Sequence, residues 1–278
     1  MIPASRYAVF GHPIAHSLSP RLHALFAAQT GIALEYTAID AAPDDFERAI
    51  RGFLAHGGRG ANVTLPHKAT AFALAHVHTT TAQRLGVANV LTVLSDGRIE
   101  ADSNDGAGML ADMRGRLGFD PRGRDVLLLG AGGAGRAAAF ALLDAGARSL
   151  TITNRTHERA QALAVALSAP GRLRTVEWAA LDHCGPFDLV VNATSAALQH
   201  AALALPSSPA ATHTFAYDLG YGRAARPFVE WALDAGCATA SDGLGMLVET
   251  AVASFERWHG VRSDAGAALK AIRAGIRP

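Results

Sequence analysis

Residues 126–135 read V-L-L-L-G-A-G-G-A-G, and this stretch decides the fold class. Asp125 to Leu129 is short, with a continuously apolar V-L-L-L core, the character of a strand buried on both faces, and the alanine-rich run after it reads as a helix to about Asp144. Between them Gly130, Gly132 and Gly135 stand in G-x-G-x-x-G register. The first glycine permits a tight turn, the second lets a pyrophosphate approach the backbone, and the third lets helix and strand pack closely. N–H groups at the helix start then face the phosphates. A glycine-rich turn can merely join two elements, but its place between an apolar strand and a long helix favours a dinucleotide site.

The next strand, Leu150 to Thr153, ends in T-N-R-T, with Asn154 nineteen residues after Gly135. An acidic residue there favours the ribose 2′-hydroxyl of NAD. Asn154 and Arg155 suit the extra phosphate of NADP instead, and Arg159 adds a second cation. A solvated arginine pair at a helix start is the plainer alternative; beside the glycine turn, NADP is favoured.

Similar alternation runs through the rest of the chain. Upstream, strands are expected at Arg6 to Phe10, Leu34 to Ile39 and Gly60 to Thr64, with a hairpin of Val90 to Leu94 and Arg98 to Ala101 around S-D-G. Ser19 and Pro20 read as the N-cap and first residue of a helix that Gly31 ends, and Phe46, Ile50, Phe53 and Leu54 form a helical stripe closed by Gly57-Gly58. Downstream strands are expected at Leu189 to Asn192 and Phe215 to Leu219. Strand–helix alternation of this kind builds parallel sheets covered on both faces, an α/β class.

Bulk numbers agree with that class. The chain has 278 residues, half of them hydrophobic and 18% charged, enough for two domains of about 100–150 residues. A net charge of +1 gives no field to recruit nucleic acid or an anionic membrane, while a small anionic substrate held by local groups stays compatible. Cys184 and Cys237 form no C-x-x-C pair and read as small core residues of a reducing compartment. No apolar run approaches the roughly 18–20 residues that span a bilayer, so a cytoplasmic protein is expected. His12, His16 and His23 lack a carboxylate or cysteine to complete a metal set, and His67 is given no role.

The stretch G-A-N-V-T-L-P-H-K at 60–68 ends an apolar strand in Lys68, and A-D-S-N-D-G carries Asp105. Alone, Lys68 reads as a surface lysine of a first helical turn and Asp105 as a loop residue before glycine. Both precede the nucleotide unit, which makes them candidates for a facing substrate site.

Taken in order, Y-A-V-F-G-H-P-I-A-H-S-L-S-P from Tyr7, G-A-N-V-T-L-P-H-K, D-S-N-D-G, G-A-G-G-A-G, T-N-R-T, V-N-A-T-S and S-D-G-L-G-M-L-V closely resemble the shikimate dehydrogenase family, as far as about His259. The resemblance implies an α/β substrate domain (1–105), a Rossmann-type NADP-binding domain (106–240) and C-terminal helices (241–278) returning to the first, with a cleft between the domains. It implies NADPH-dependent reduction of 3-dehydroshikimate to shikimate in aromatic amino-acid biosynthesis, and a homodimer. Lys68 and Asp105 become the catalytic pair. Ser17 and Ser19 would hold the substrate carboxylate, and Thr64, Asn89, Tyr221 and Thr250 would line the site with Asp105. The cofactor would meet Gly130, Ala131, Gly132, Gly133, Ala134, Asn154, Arg155, Thr156, Arg159, Leu219 and Gly243. No metal is implied.

Some residues depart from the family pattern. Ser103-Asn104 replaces N-T before Asp105, Thr250 replaces a substrate-contacting glutamine, and Ala196-Ala197 and Arg226 replace small polar residues and a T-P. Thr250 has no amide to offer. Two rivals follow: a family member acting on quinate, an aminoshikimate or another ring hydroxy acid, and an NADP-binding sensor without turnover, against which Lys68 and Asp105 argue.

Overall fold

The structure is a computed structural model that describes residues 4–194 and 204–275. It divides into two compact units, Met1–Asn104 with Val248–Pro278, and Asp105–Leu247.

The first unit is built on a sheet of β1 (Ser5–Gly11), β2 (Leu34–Asp40), β3 (Gly58–Val63), β4 (Val77–His78), β5 (Val90–Val93) and β6 (Ile99–Asp102), in the order β2-β1-β3-β5-β6-β4. β1 runs parallel to β2 and β3, whereas β5 is antiparallel to both β3 and β6. The last pair is the expected hairpin, with Gly97 at φ +83° in its turn. Helices α1 (Ser19–Thr30), α2 (Phe46–Ala55), α3 (Lys68–Leu74) and α4 (Thr80–Leu85) connect the strands. α2 buries Phe46, Ile50 and Phe53, spaced to share one face, and Phe10 of β1 meets Phe46 and Phe53 edge-on at 5.9 and 5.7 Å. Each such side chain contributes roughly 1.5–3 kcal/mol. β4 and α4 escape sequence reading because neither is long enough to show a period.

The second unit holds β7 (Asp125–Leu129), β8 (Ser149–Thr153), β9 (Leu173–Val176), β10 (Leu189–Asn192), β11 (Phe215–Asp218) and β12 (Thr239–Ser241). Their order is β9-β8-β7-β10-β11-β12, all parallel, the doubly wound arrangement in which β7 is the first strand and β10 lies across the switch point. Helices α5 (Asp105–Gly115), α6 (Gly133–Asp144), α7 (His157–Leu167) and α8 (Arg226–Asp234) belong to this unit. Alternate residues of β7 enter opposite cores: Val126 and Leu128 pack with Leu142 and Ile152, Leu127 and Leu129 with Val190 and Phe228. This explains why the strand is apolar without alternation. α9 (Leu244–His259) starts in the second unit and ends in the first, to which α10 (Ala265–Gly275) also belongs. No helix among the described residues is long and apolar enough to cross a membrane.

His23, on the inner face of α1, lies fully buried in an aromatic cluster of the first unit. Its ring stacks on Tyr36 at 3.9 Å, with Phe26 at 5.5 Å and Trp258 at 5.6 Å, and neither ring nitrogen has a hydrogen-bond partner among the described residues. Burial pushes its pKa down to about 3, and nearby His259 adds to that. As pH falls below the unfolded value near 6.5, the unfolded chain takes up a proton that the folded chain refuses until about 3. Stability is therefore lost across that window, by about 3 kcal/mol between pH 7 and pH 4. His23→Phe keeps the stacking and removes the titration. Urea unfolding should show the variant losing at least about 2 kcal/mol less than wild type over that range; equal losses would reject the assignment.

Candidate active site

In the first unit the predicted site residues hang on backbone turns at the C-terminal ends of β1 and β3. Thr64 N–H donates to Phe10 O (2.9 Å), His12 N–H to Leu65 O (3.0 Å) and His67 N–H to Thr64 O (3.0 Å), which closes the turn leading into Lys68. Gly11 is required here, since a Cβ would stand 2.6 Å from Thr64 Cγ2. His67 proves to be the anchor of this turn. It is buried, Nε2 lies 2.8 Å from Ala41 O, and its ring stacks on Phe46 at 4.3 Å. Burial lowers its pKa, favouring the neutral ring. Lys68, half-buried, opens α3, and its carbonyl accepts the N–H of Ala88 (2.9 Å), which fixes the loop that carries Asn89.

Ser19 does not cap α1 as expected. Leu18, without a side-chain cap, precedes α1; Ser17 Oγ accepts the N–H of Ser19 (3.3 Å) and steadies the helix entry. The helix starts one residue earlier than the Ser-Pro signal suggests, which gives Ser19 helical backbone and buries it. The loop itself is held by Asp40, which accepts from Ile14 N–H (3.1 Å) and pairs with His12 Nδ1 (2.6 Å).

A buried amide network joins several of these residues. Asn89 Nδ2 donates to Asn104 Oδ1 (2.7 Å), and Asn104 N–H returns a bond to Asn89 Oδ1 (2.9 Å). Asn104 Nδ2 reaches Ser254 Oγ and Thr250 O, both at 3.1 Å. Asn62 Nδ2 also donates to Ser254 Oγ (2.9 Å), and Tyr36 donates to Asn62 Oδ1 (2.8 Å). Asn89 and Thr250 thus lie on one connected set. Thr250 Oγ1 and Ser103 Oγ are buried without a partner among the described residues.

In the second unit the glycines divide by duty. A Cβ on Gly135 would sit 2.2 Å from Gly130 O, and Gly130 itself has φ +104° with Ala193 O 2.9 Å from where its Cβ would be. These two serve the turn and its packing. Gly132 and Gly133 face open space at the head of α6, where the first N–H groups lack intrahelical acceptors, so a pyrophosphate fits there. Asn154 clamps the turn from β8: its Oδ1 accepts the N–H of Ala131 (3.1 Å), and its Nδ2 donates to Thr156 O (2.8 Å). Arg155, Thr156 and Arg159 are exposed beside it. Gly243 presses on the chain after β11, where a Cβ would be 2.5 Å from Leu219 O, and burial raises the pKa of Tyr221 nearby in sequence.

Asp105 is buried at the head of α5. Two turns later Asp112 receives the Arg116 fork at 2.6 and 2.7 Å and the Tyr217 hydroxyl at 2.7 Å, and a Cβ on Gly245 would collide with it at 1.9 Å. This cluster fixes α5 against β11 and the start of α9. Ala196 and Ala197 lie outside the described residues.

Residues 9–91 match the shikimate dehydrogenase substrate-binding domain and residues 114–223 the shikimate/quinate 5-dehydrogenase model. NADP(+) shikimate dehydrogenase of Xanthomonas campestris pv. campestris (strain B100) is 52% identical over 98% of this chain and 97% of its own. The chain belongs to the shikimate dehydrogenase family. An Ael1 enzyme from Pseudomonas putida is 43% identical with TM-score 0.87, covering 96% of this chain and 98% of its own. Shikimate 5-dehydrogenase of Thermus thermophilus, solved with NADP(H) and shikimate, is 32% identical with TM-score 0.84, covering 98% of this chain and 99% of its own.

Asn62, His67, Ser254 and the Asn104 clasp were not singled out as functional from the sequence. Their signal is a polar residue inside an apolar run, as in G-A-N-V and A-V-A-S-F. Asn104→Ala removes the acceptor of one Asn89 amide bond and one of the two donors to Ser254 Oγ, and should destabilise the protein by roughly 1–3 kcal/mol. Urea titration measures this; a loss under about 1 kcal/mol would mean the network is not closed.

Proposed function

We propose that this protein is an NADP-dependent dehydrogenase interconverting 3-dehydroshikimate and shikimate. The observation that carries the reading is family membership across nearly the whole chain, with Lys68 opening α3 at the end of a hydrogen-bonded turn. NADPH, when bound, supplies the hydride for the ketone carbon. That delivery leaves negative charge on the ketone oxygen. The Lys68 ammonium is the group that stabilises this charge and gives up the proton, and Asp105 orients Lys68 and holds a substrate hydroxyl. Ser17 and Ser19 hold the ring carboxylate; Thr64, Asn89, Tyr221 and Thr250 complete the lining. The glycine turn takes the pyrophosphate, and Leu219 and Gly243 meet the nicotinamide. Asn154, Arg155, Thr156 and Arg159 hold the adenosine 2′-phosphate, each charge-assisted hydrogen bond contributing about 1.5–3 kcal/mol. The cytoplasmic setting and the homodimer are part of the same proposal.

A second reading is favoured by one feature. Thr250 presents no amide, its carbonyl is engaged by Asn104 and Ser254, and its hydroxyl is buried without a partner among the described residues. A ring acid other than shikimate, such as quinate or an aminoshikimate, would answer that difference. Initial rates with the three acids, each with NADP and NAD, separate the readings: fast shikimate oxidation with NADP supports the first, and preference for another acid the second.

Lys68→Ala should lower kcat by about 10²- to 10⁴-fold while NADPH binding stays near wild type; near-normal turnover would remove Lys68 from the mechanism. Arg155→Ala should narrow the preference for NADP over NAD by roughly one to two decades, read as the ratio of kcat/KM values.

A further inference from the structure

Asp218 ends β11 and is 3% exposed, and no described ion pair includes it. Its neighbours are donors. Gly220 N–H reaches Oδ1 at 2.7 Å and Asn192 Nδ2 reaches Oδ2 at 2.7 Å. Asn192, 4% exposed at the end of β10, is in turn gripped by Thr194 through its N–H (3.1 Å) and hydroxyl (2.8 Å), both on Oδ1. The chain of bonds thus ties the turn after β10 to the turn after β11.

Both turns touch cofactor-binding backbone directly. The turn after β10 backs the dinucleotide loop, because a Cβ on Gly130 would lie 2.9 Å from Ala193 O and 3.1 Å from Thr194 N. The turn after β11 backs the other end, with Gly243 N–H donating to Gly220 O at 2.7 Å and its Cα against Leu219 O. At both contacts a glycine, with no side chain of its own, meets the neighbouring turn. We propose that Asp218, acting through Asn192, is a positioning residue for the dinucleotide, holding both turns in register so that its ionised carboxylate couples cofactor affinity to pH. The inference rests on the NADP reading above.

A group kept only for stability would not be this one. Burial, opposed by the Asn192 and Gly220 bonds and reinforced by the carboxylate of Asp242 beyond β12, pushes the Asp218 pKa up to about 7. Its folded value exceeds the unfolded 3.8, so the folded chain binds the proton more tightly and the buried charge costs stability above that range. When the proton binds, one carboxyl oxygen becomes a hydroxyl and a poorer acceptor, so one of the two 2.7 Å bonds weakens. Asn in this place offers one carbonyl oxygen for two donors and sets its own NH₂ against the other.

The test is NADPH binding by fluorescence on the full chain from pH 5.5 to 9, with thermal unfolding alongside. Asp218→Asn should bind NADPH five- to tenfold more weakly than wild type at pH 8, with a flatter pH profile. Any slope common to both proteins belongs to the 2′-phosphate, which titrates near pH 6. Melting near the wild-type temperature would show that the loss is not one of folding. Binding within twofold of wild type over the whole range would overturn the proposal. Should Asp218→Asn fail to fold, Thr194→Val removes only the hydroxyl bond to Asn192; two- to threefold weaker binding is then expected, and wild-type affinity overturns the proposal. Binding is read without turnover, so a wild-type protein that binds NADPH but fails to oxidise shikimate counts against the dehydrogenase reading alone.

Discussion

The approach of Gly135 to the carbonyl oxygen of Gly130, too close for any side chain, is the constraint on which the second unit depends. It seats α6 directly on the end of β7, and α6 in turn accepts α5, where Gly106 is forced by the Ala137 carbonyl 2.7 Å from its missing Cβ. The same turn leaves Gly132 and Gly133 facing open space. One backbone contact therefore sets helix packing, the position of Asp105 at the head of α5, and the room for a diphosphate.

The first unit is organised differently. It has no comparable glycine turn, and its predicted site residues are held by side-chain amides and by one neutral histidine. Amide pairs of the Asn89–Asn104 kind satisfy donor and acceptor together, which gives a single orientation at small net energy. Such a frame specifies geometry more than it adds stability.

That contrast accounts for how much could be read from the sequence. The four central strands of the second sheet were legible because each is a short, largely apolar run bounded by turn residues, and its glycines have one mechanical meaning; β10 was placed to the residue. The hairpin of β5 and β6 was equally plain from S-D-G. Short strands such as β4 and β12 were not, because two or three residues carry no period. Among the site residues, Lys68 and Asp105 were visible as candidates only by placement, and the resemblance supplied their roles. For His23 and His67 the local sequence was silent: a histidine there reads as polar, and nothing nearby shows that its partners are Phe46, Ala41 or Tyr36, brought in by the fold. The Asp218–Asn192 pair was hidden likewise, since each residue alone resembles an ordinary strand end.

The discontinuity of the first unit bears on how the protein is made. Asn62 and Asn104 find Ser254 only 192 and 150 residues further along the chain. The second unit, Asp105–Leu247, is one unbroken segment and has all of its strands before those partners leave the ribosome. Synthesis thus delivers the nucleotide-binding unit whole while the unit bearing Lys68 still waits for α9 to close its amide frame.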